Sequence, residues 1–121
     1  MPVRSLTSSI LKWPDAKVVD RALREWADRA ARNRQDVLRI GYFGSYARGD
    51  WGVGSDLDLL IVVEDSDRPF ERRSVEWDTT ALPVPTDVLV YTGDEWHSMA
   101  EQRSPPGWRR EIVWIYQRSR V

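Results

Sequence analysis

The sequence predicts an α+β (mixed α/β) domain, a small mixed β-sheet with helices packed on it. Three observations carry that expectation. An early stretch repeats apolar residues at three- and four-residue steps, as an amphipathic helix does. Short apolar runs follow, set apart by Gly, Pro and Ser breakers. The order is helix, three strands with excursions, helix, strand, which suits helices covering one sheet. At 121 residues the chain has the size of one domain with a single core, spanning 1–121, and leaves little room for a second, substrate-recognition domain.

Taken in order, residues 1 to 13 read as a loose lead-in. Pro14 suits the first turn of a helix. Val18, Val19, Ala22, Leu23, Trp26, Ala27 and Ala30 then form one stripe among charged residues, predicting a helix from about Asp15 to Arg34. Val37 to Phe43 reads as a strand that stops at Gly44. Leu57 to Val63 is the most apolar run and reads as a central strand buried on both faces. Phe70 to Trp77 suits a short helix, and Pro83 and Pro85 end whatever precedes Thr86. Asp87 to Tyr91 reads as a third strand, Thr92 or Asp94 as the cap of a helix to about Gln102. Ser104 to Gly107 is a turn, and Ile112 to Gln117 a last strand, whose open edge is suited to pairing with another chain in a homo- or hetero-oligomer.

Composition excludes several classes. There is no cysteine, so disulfides and thiolate metal sites are ruled out. A net charge of -1 gives no general attraction to nucleic acid or anionic membranes. No run approaches the length of a membrane span, and no signal-peptide pattern opens the chain, so the cytoplasm is the default compartment. The five arginines from Arg103 onward, against the single acid Glu111, read as a solvated charged surface.

The segment from Gly44 to Asp58 carries the chemistry. A strand runs into Gly44, where a residue without Cβ lets the backbone turn and approach a ligand. Ser45 to Arg48 then suits a short helical turn whose free N–H groups point at an anion. After a Gly-rich loop a new strand begins with Asp56 and Asp58. Alternation puts both carboxylates on one face, their Cα atoms about 7 Å apart, where they repel each other and favour a cation between them. Oxygen ligands without nearby His or Cys specify a hard ion, Mg²⁺ first and Mn²⁺ second. Asp87 opens another apolar strand. If the two strands are neighbours, three carboxylates converge at one sheet end and can orient a triphosphate and activate a hydroxyl. Each part alone is ordinary: an Asp-x-Asp is more often a solvated strand end, and turns use Gly and Ser routinely.

Jointly the pattern is specific. Gly44-Ser45, ten intervening residues and Asp56-Leu57-Asp58 resemble the signature of the polymerase-beta-like nucleotidyltransferase superfamily. The fuller string GSYARGDWGVGSDLDLLIVV resembles the minimal nucleotidyltransferases that partner HEPN proteins in toxin–antitoxin pairs. The resemblance implies that Asp56 and Asp58 are metal ligands and that Asp87 is the third carboxylate, helping to deprotonate the attacking hydroxyl. It implies that Gly44 and Ser45 hold the β- and γ-phosphates, and that Arg48 meets the triphosphate, against which stands a surface salt bridge to Asp50. It further implies an AMP transfer from ATP to a tyrosine of a HEPN toxin. Two other functions compete: an antitoxin that neutralises by binding alone, with exposed aromatics such as Trp108 and Trp114 and flanking arginines as its interface, and an aminoglycoside-type small-molecule transferase, which usually carries an additional helical domain. His97 reads as a surface or packing residue. Trp51, inside the Gly-rich loop, and Tyr46 are candidates for stacking on a base or facing a partner.

Overall fold

Asp15 starts the first helix, its carboxylate accepting the Val18 N–H at 2.9 Å, the standard way to satisfy an orphan amide at a helix start. The structure, a computed structural model, describes residues 13–118, so nearly all of the expected lead-in lies outside the described residues. Helix α1 (Ala16–Asn33) buries Val19, Leu23, Trp26 and Ala27, the i, i+4, i+7, i+8 stripe of one face. Val18, expected in that stripe, is 45% exposed; it sits one helical step of about 100° away from Val19.

Four strands follow: β1 (Val37–Phe43), β2 (Leu57–Val63), β3 (Thr86–Thr92) and β4 (Val113–Gln117). Their order in the sheet is β3-β2-β1-β4, with β1 antiparallel to β2 and β4, and β2 parallel to β3. Strand β2 is buried on both faces. Leu57, Leu59, Ile61 and Val63 join the larger core with α1, while Leu60 and Val62 join a second cluster with Trp96 and Met99. Alternation therefore turns Asp58 toward the second face. Gly41 lets β4 cross closely, since a Cβ there would come within 2.8 Å of the Ile112 side chain and 2.9 Å of the Trp114 ring.

The second face is covered by α3 (Gly93–Ala100), which Thr92 caps in a box closed by Glu95; Asp94 is not the cap, and the helix ends before Gln102 because its last turn breaks at Glu101. The segment Phe70–Glu76 is a 3₁₀ helix. It is fastened by the buried Arg73, which donates to Arg68 O at 3.0 Å and Val90 O at 3.1 Å and pairs with both oxygens of Glu95. A second 3₁₀ helix, Gly107–Glu111, follows the expected turn over residues to which the sequence assigned no element, and β4 begins at Val113 after it. Trp108 and Trp114 are half-buried members of an aromatic cluster, Trp108 stacking on Phe43 at 4.6 Å, and are not the freely exposed pair the sequence suggested. Between Arg103 and the chain end, Arg109 lies over Trp96 and Arg118 pairs with Glu64, so that stretch is not uniformly solvated. Among the described residues no helix is long and apolar enough to cross a membrane.

Candidate active site

Strand β1 delivers the chain to Gly44, whose φ of 81° and ψ of -153° lie in a region that favours glycine. The helical turn α2 (Ser45–Arg48) begins there, with the Ala47 and Arg48 N–H groups donating to Gly44 O at 3.0 and 2.9 Å. The amides of Ser45 and Tyr46 precede those bonds and are the orphan donors of the turn. Tyr46 anchors the turn from below: it is 3% exposed, accepts the Trp13 indole N–H at 2.8 Å and donates to Pro14 O at 3.2 Å. Trp51 lies parallel on the Tyr46 ring, with centroids 5.7 Å apart. Tyr46 is thus a core residue, not a free stacking platform, because its phenol finds partners only inside. Trp51 is half-buried and has one ring face occupied.

The Gly-rich loop closes on itself through the Gly52 N–H, which donates to Ser55 Oγ at 2.7 Å. The chain then enters β2 just after Asp56. The Leu57 N–H donates to Pro85 O at 2.9 Å, and this bond sets the parallel register in which Leu57 faces Thr86 and Asp58 faces Asp87. On its other side Asp58 faces Phe43. Gly44 lies so close to Asp58 that a Cβ would overlap its carboxylate. Glycine here serves both the turn and the fit against the acid.

Electrostatics agree with this convergence. The Asp58 carboxyl is pushed above its ordinary value, by burial first, then by the charges of Asp87 and Asp56, with Arg48 opposing. Asp56 and Asp87 are exposed and Asp58 is half-buried. Among the described residues no three His, Cys, Asp or Glu side chains form a group ready to hold a metal ion. The three aspartates share a sheet end, and the charges of Asp87 and Asp56 bear on Asp58, without the three closing on one point. The donor set still fits a hard divalent cation: the ligating atoms are carboxylate oxygens, and a glycine leaves room beside the most buried of them.

Arg48 is engaged elsewhere in this arrangement, with Nε donating to Asp50 at 3.1 Å and Nη1 to Glu111 at 3.1 Å. It ties α2 to the 3₁₀ helix Gly107–Glu111 across the mouth of the site. Glu111 was not singled out by sequence reasoning; it lies 63 residues from Arg48, and no local pattern links the two. His97 is exposed on α3.

Fold and site together define a polymerase-beta-like nucleotidyltransferase domain. Residues 23–114 match the family model described as nucleotidyltransferase domain, which is most of the chain, and the chain belongs to that family. A Methanocaldococcus jannaschii protein described as a putative protein adenylyltransferase is 35% identical over 52 residues, 43% of this chain and 52% of the relative. The match thus spans about half the length of that relative. A crystal structure described as a putative nucleotidyltransferase from Sulfolobus solfataricus superposes with a TM-score of 0.60 at 22% identity, covering 88% of this chain and 91% of that one, and so shares the fold.

Proposed function

We propose that this nucleotidyltransferase moves a nucleoside monophosphate, AMP from ATP in the first instance, onto a hydroxyl of a protein acceptor. The observation that carries the reading is the register that sets Asp58 opposite Asp87, with Gly44 against the Asp58 carboxylate. On this reading Asp56, Asp58 and Asp87 hold Mg²⁺, or Mn²⁺ in second place, and the amides and hydroxyl at Gly44 and Ser45 receive the β- and γ-phosphates. The bound cation supplies neutralising charge to the triphosphate and to the leaving group.

The chain's own residues do the rest. Gly44 and Ser45 lie on the β1 side of Asp58 and Asp87 on the β3 side, so leaving group and acceptor approach from opposite sides. The acceptor oxygen attacks the α-phosphorus and gives its proton to Asp87. The new O–P bond forms as the bond from the α-phosphorus to the bridging oxygen breaks, and pyrophosphate leaves with the electron pair. Arg48 exchanges Glu111 for phosphate oxygens when the nucleotide enters.

The acceptor class is supported by the name of the Methanocaldococcus relative. The finer resemblance to minimal nucleotidyltransferases names a tyrosine of a HEPN-type toxin, with modification silencing it and this chain acting as the antitoxin. The test incubates the protein with α-labelled ATP, Mg²⁺ and the product of the neighbouring gene. Label on the acceptor is expected; label transfer that persists in Asp58→Asn would sink the mechanism.

A further inference from the structure

Away from the aspartates, the second face of the sheet holds two arginines on tryptophan rings. The Arg39 guanidinium lies 4.0 Å from the centre of the Trp114 ring, and that of Arg109 lies 3.7 Å from the Trp96 ring. The two indoles meet edge to face, 5.7 Å apart at 88°, and Arg109 also donates to Trp96 O at 3.2 Å. Each of two touching rings therefore seats one cation. Burial, and then the charge of Arg109, lower the pKa of Arg39.

Among the described residues neither guanidinium has a carboxylate within ion-pair distance, whereas Arg24, Arg34, Arg48, Arg68, Arg73 and Arg118 each do. Residues 1–12 and 119–121 contain no Asp or Glu. Neighbouring, partly desolvated cations favour an arriving anion, and a planar fork matches a carboxylate in two-point fashion. Arg39 is four residues before Phe43 on β1, about 13 Å by the strand rise, so it lies well down the strand from Asp58, while Arg109 stands on the 3₁₀ helix that Arg48 ties to α2.

We infer that the Arg39–Arg109 pair, seated on Trp114 and Trp96, is a docking point for an acidic segment of a partner protein. Arg and Trp are the residues that dominate protein interfaces when truncated. Nucleic acid fits less well, because a net charge of -1 provides no track of cations for successive phosphates. The inference does not depend on the proposed reaction.

Hexaglutamate is a direct probe, titrated into the full chain at low salt and followed by tryptophan fluorescence and calorimetry. Saturable binding is expected, weakened about tenfold by Arg39→Gln or Arg109→Gln. Each variant is checked for the parent's unfolding midpoint. Should Arg109→Gln lose the fold, Arg109→Lys keeps the stem and the charge without the fork, and binding is expected to weaken severalfold. Absence of saturable binding, or binding that none of the arginine variants reduces, overturns the inference. Tighter binding of a short oligo-dT than of hexaglutamate at equal salt overturns the choice of partner in favour of nucleic acid.

Discussion

Two carboxylates on the same side of the molecule are treated in opposite ways. Glu95, at the start of α3, is pulled below its ordinary value by the Arg73 guanidinium, with further help from the Thr92 amide and hydroxyl. Asp58, at the start of β2, is pushed up by burial and by Asp87 and Asp56. The first is a finished structural joint that fastens the Phe70–Glu76 segment to β3 and α3. The second is an acid held among acids, with Arg48 opposing their charge. On the proposed reading, the repulsion tolerated at Asp58 is what a bound cation would relieve, whereas the paired Glu95 completes a joint within the fold.

The largest expected effect separates the two at the level of chemistry. Asp87→Asn should lower the rate of nucleotide transfer by about 10²–10⁴-fold, the usual worth of a positioned general base, while Glu95→Gln should leave the rate nearly unchanged. Single-turnover transfer of α-labelled nucleotide measures both. Equal losses in the two variants would erase the distinction.

Next comes stability. Arg73→Ala breaks a buried pair and abandons the Val90 carbonyl at the β3 edge. Since Glu95 is 42% exposed in its side chain, the cost should fall below that of a fully buried pair, at about 1–3 kcal/mol, read from urea unfolding. Asp58→Asn should instead raise the unfolding midpoint at neutral pH, because it removes repulsion. A fall there would mean that Asp58 is not strained in the folded chain.

The pH dependence sharpens the same contrast. For Asp58 the folded pKa is raised, so its contribution is fully present below the unfolded carboxylate value and is lost as pH rises through the raised one. For Glu95 the folded pKa is lowered, so its contribution is present above the unfolded value and is lost as pH falls through the lowered one. Asp58→Asn should therefore flatten the stability profile on the side above the ordinary carboxylate range, and Glu95→Gln on the side below it. Thermal melts across the acid range report both slopes.

The smallest effect concerns Arg48. Its two pairs are exposed, so Arg48→Gln should leave the unfolding midpoint unchanged. If the guanidinium transfers to the triphosphate, KM for the nucleotide rises with little change in kcat; steady-state kinetics distinguishes this from a purely surface role.

Much of this arrangement is legible in the sequence where one local period governs. The stripe from Val19 to Ala27 specifies α1 within a residue of its caps, and the run Leu57 to Val63 has no other sensible home than a central strand. The spacing from Gly44-Ser45 to Asp56-Leu57-Asp58 picks out the candidate site without knowledge of the sheet. What stays hidden depends on contacts between distant segments. Nothing local announces that Glu111 reaches Arg48, or that Arg73 of a short 3₁₀ helix closes on Glu95. The five-residue turn Gly107–Glu111 is too short for periodicity to appear. Trp108 and Trp114, read as exposed, are drawn inward because Phe43, Tyr91 and Trp96 offer them ring faces.

The bond from the Leu57 amide to the Pro85 carbonyl has one more consequence. It clamps the beginnings of β2 and β3 together, downstream of everything between Glu64 and Val84. Changes of length in the exposed beginning of that stretch, residues 64–69, leave the clamp and the spacing of Asp58 and Asp87 in place, whereas the buried Arg73, Trp77, Leu82 and Val84 hold the remainder of the stretch to the sheet. The spacing of the two aspartates is thereby insulated from changes in that exposed segment.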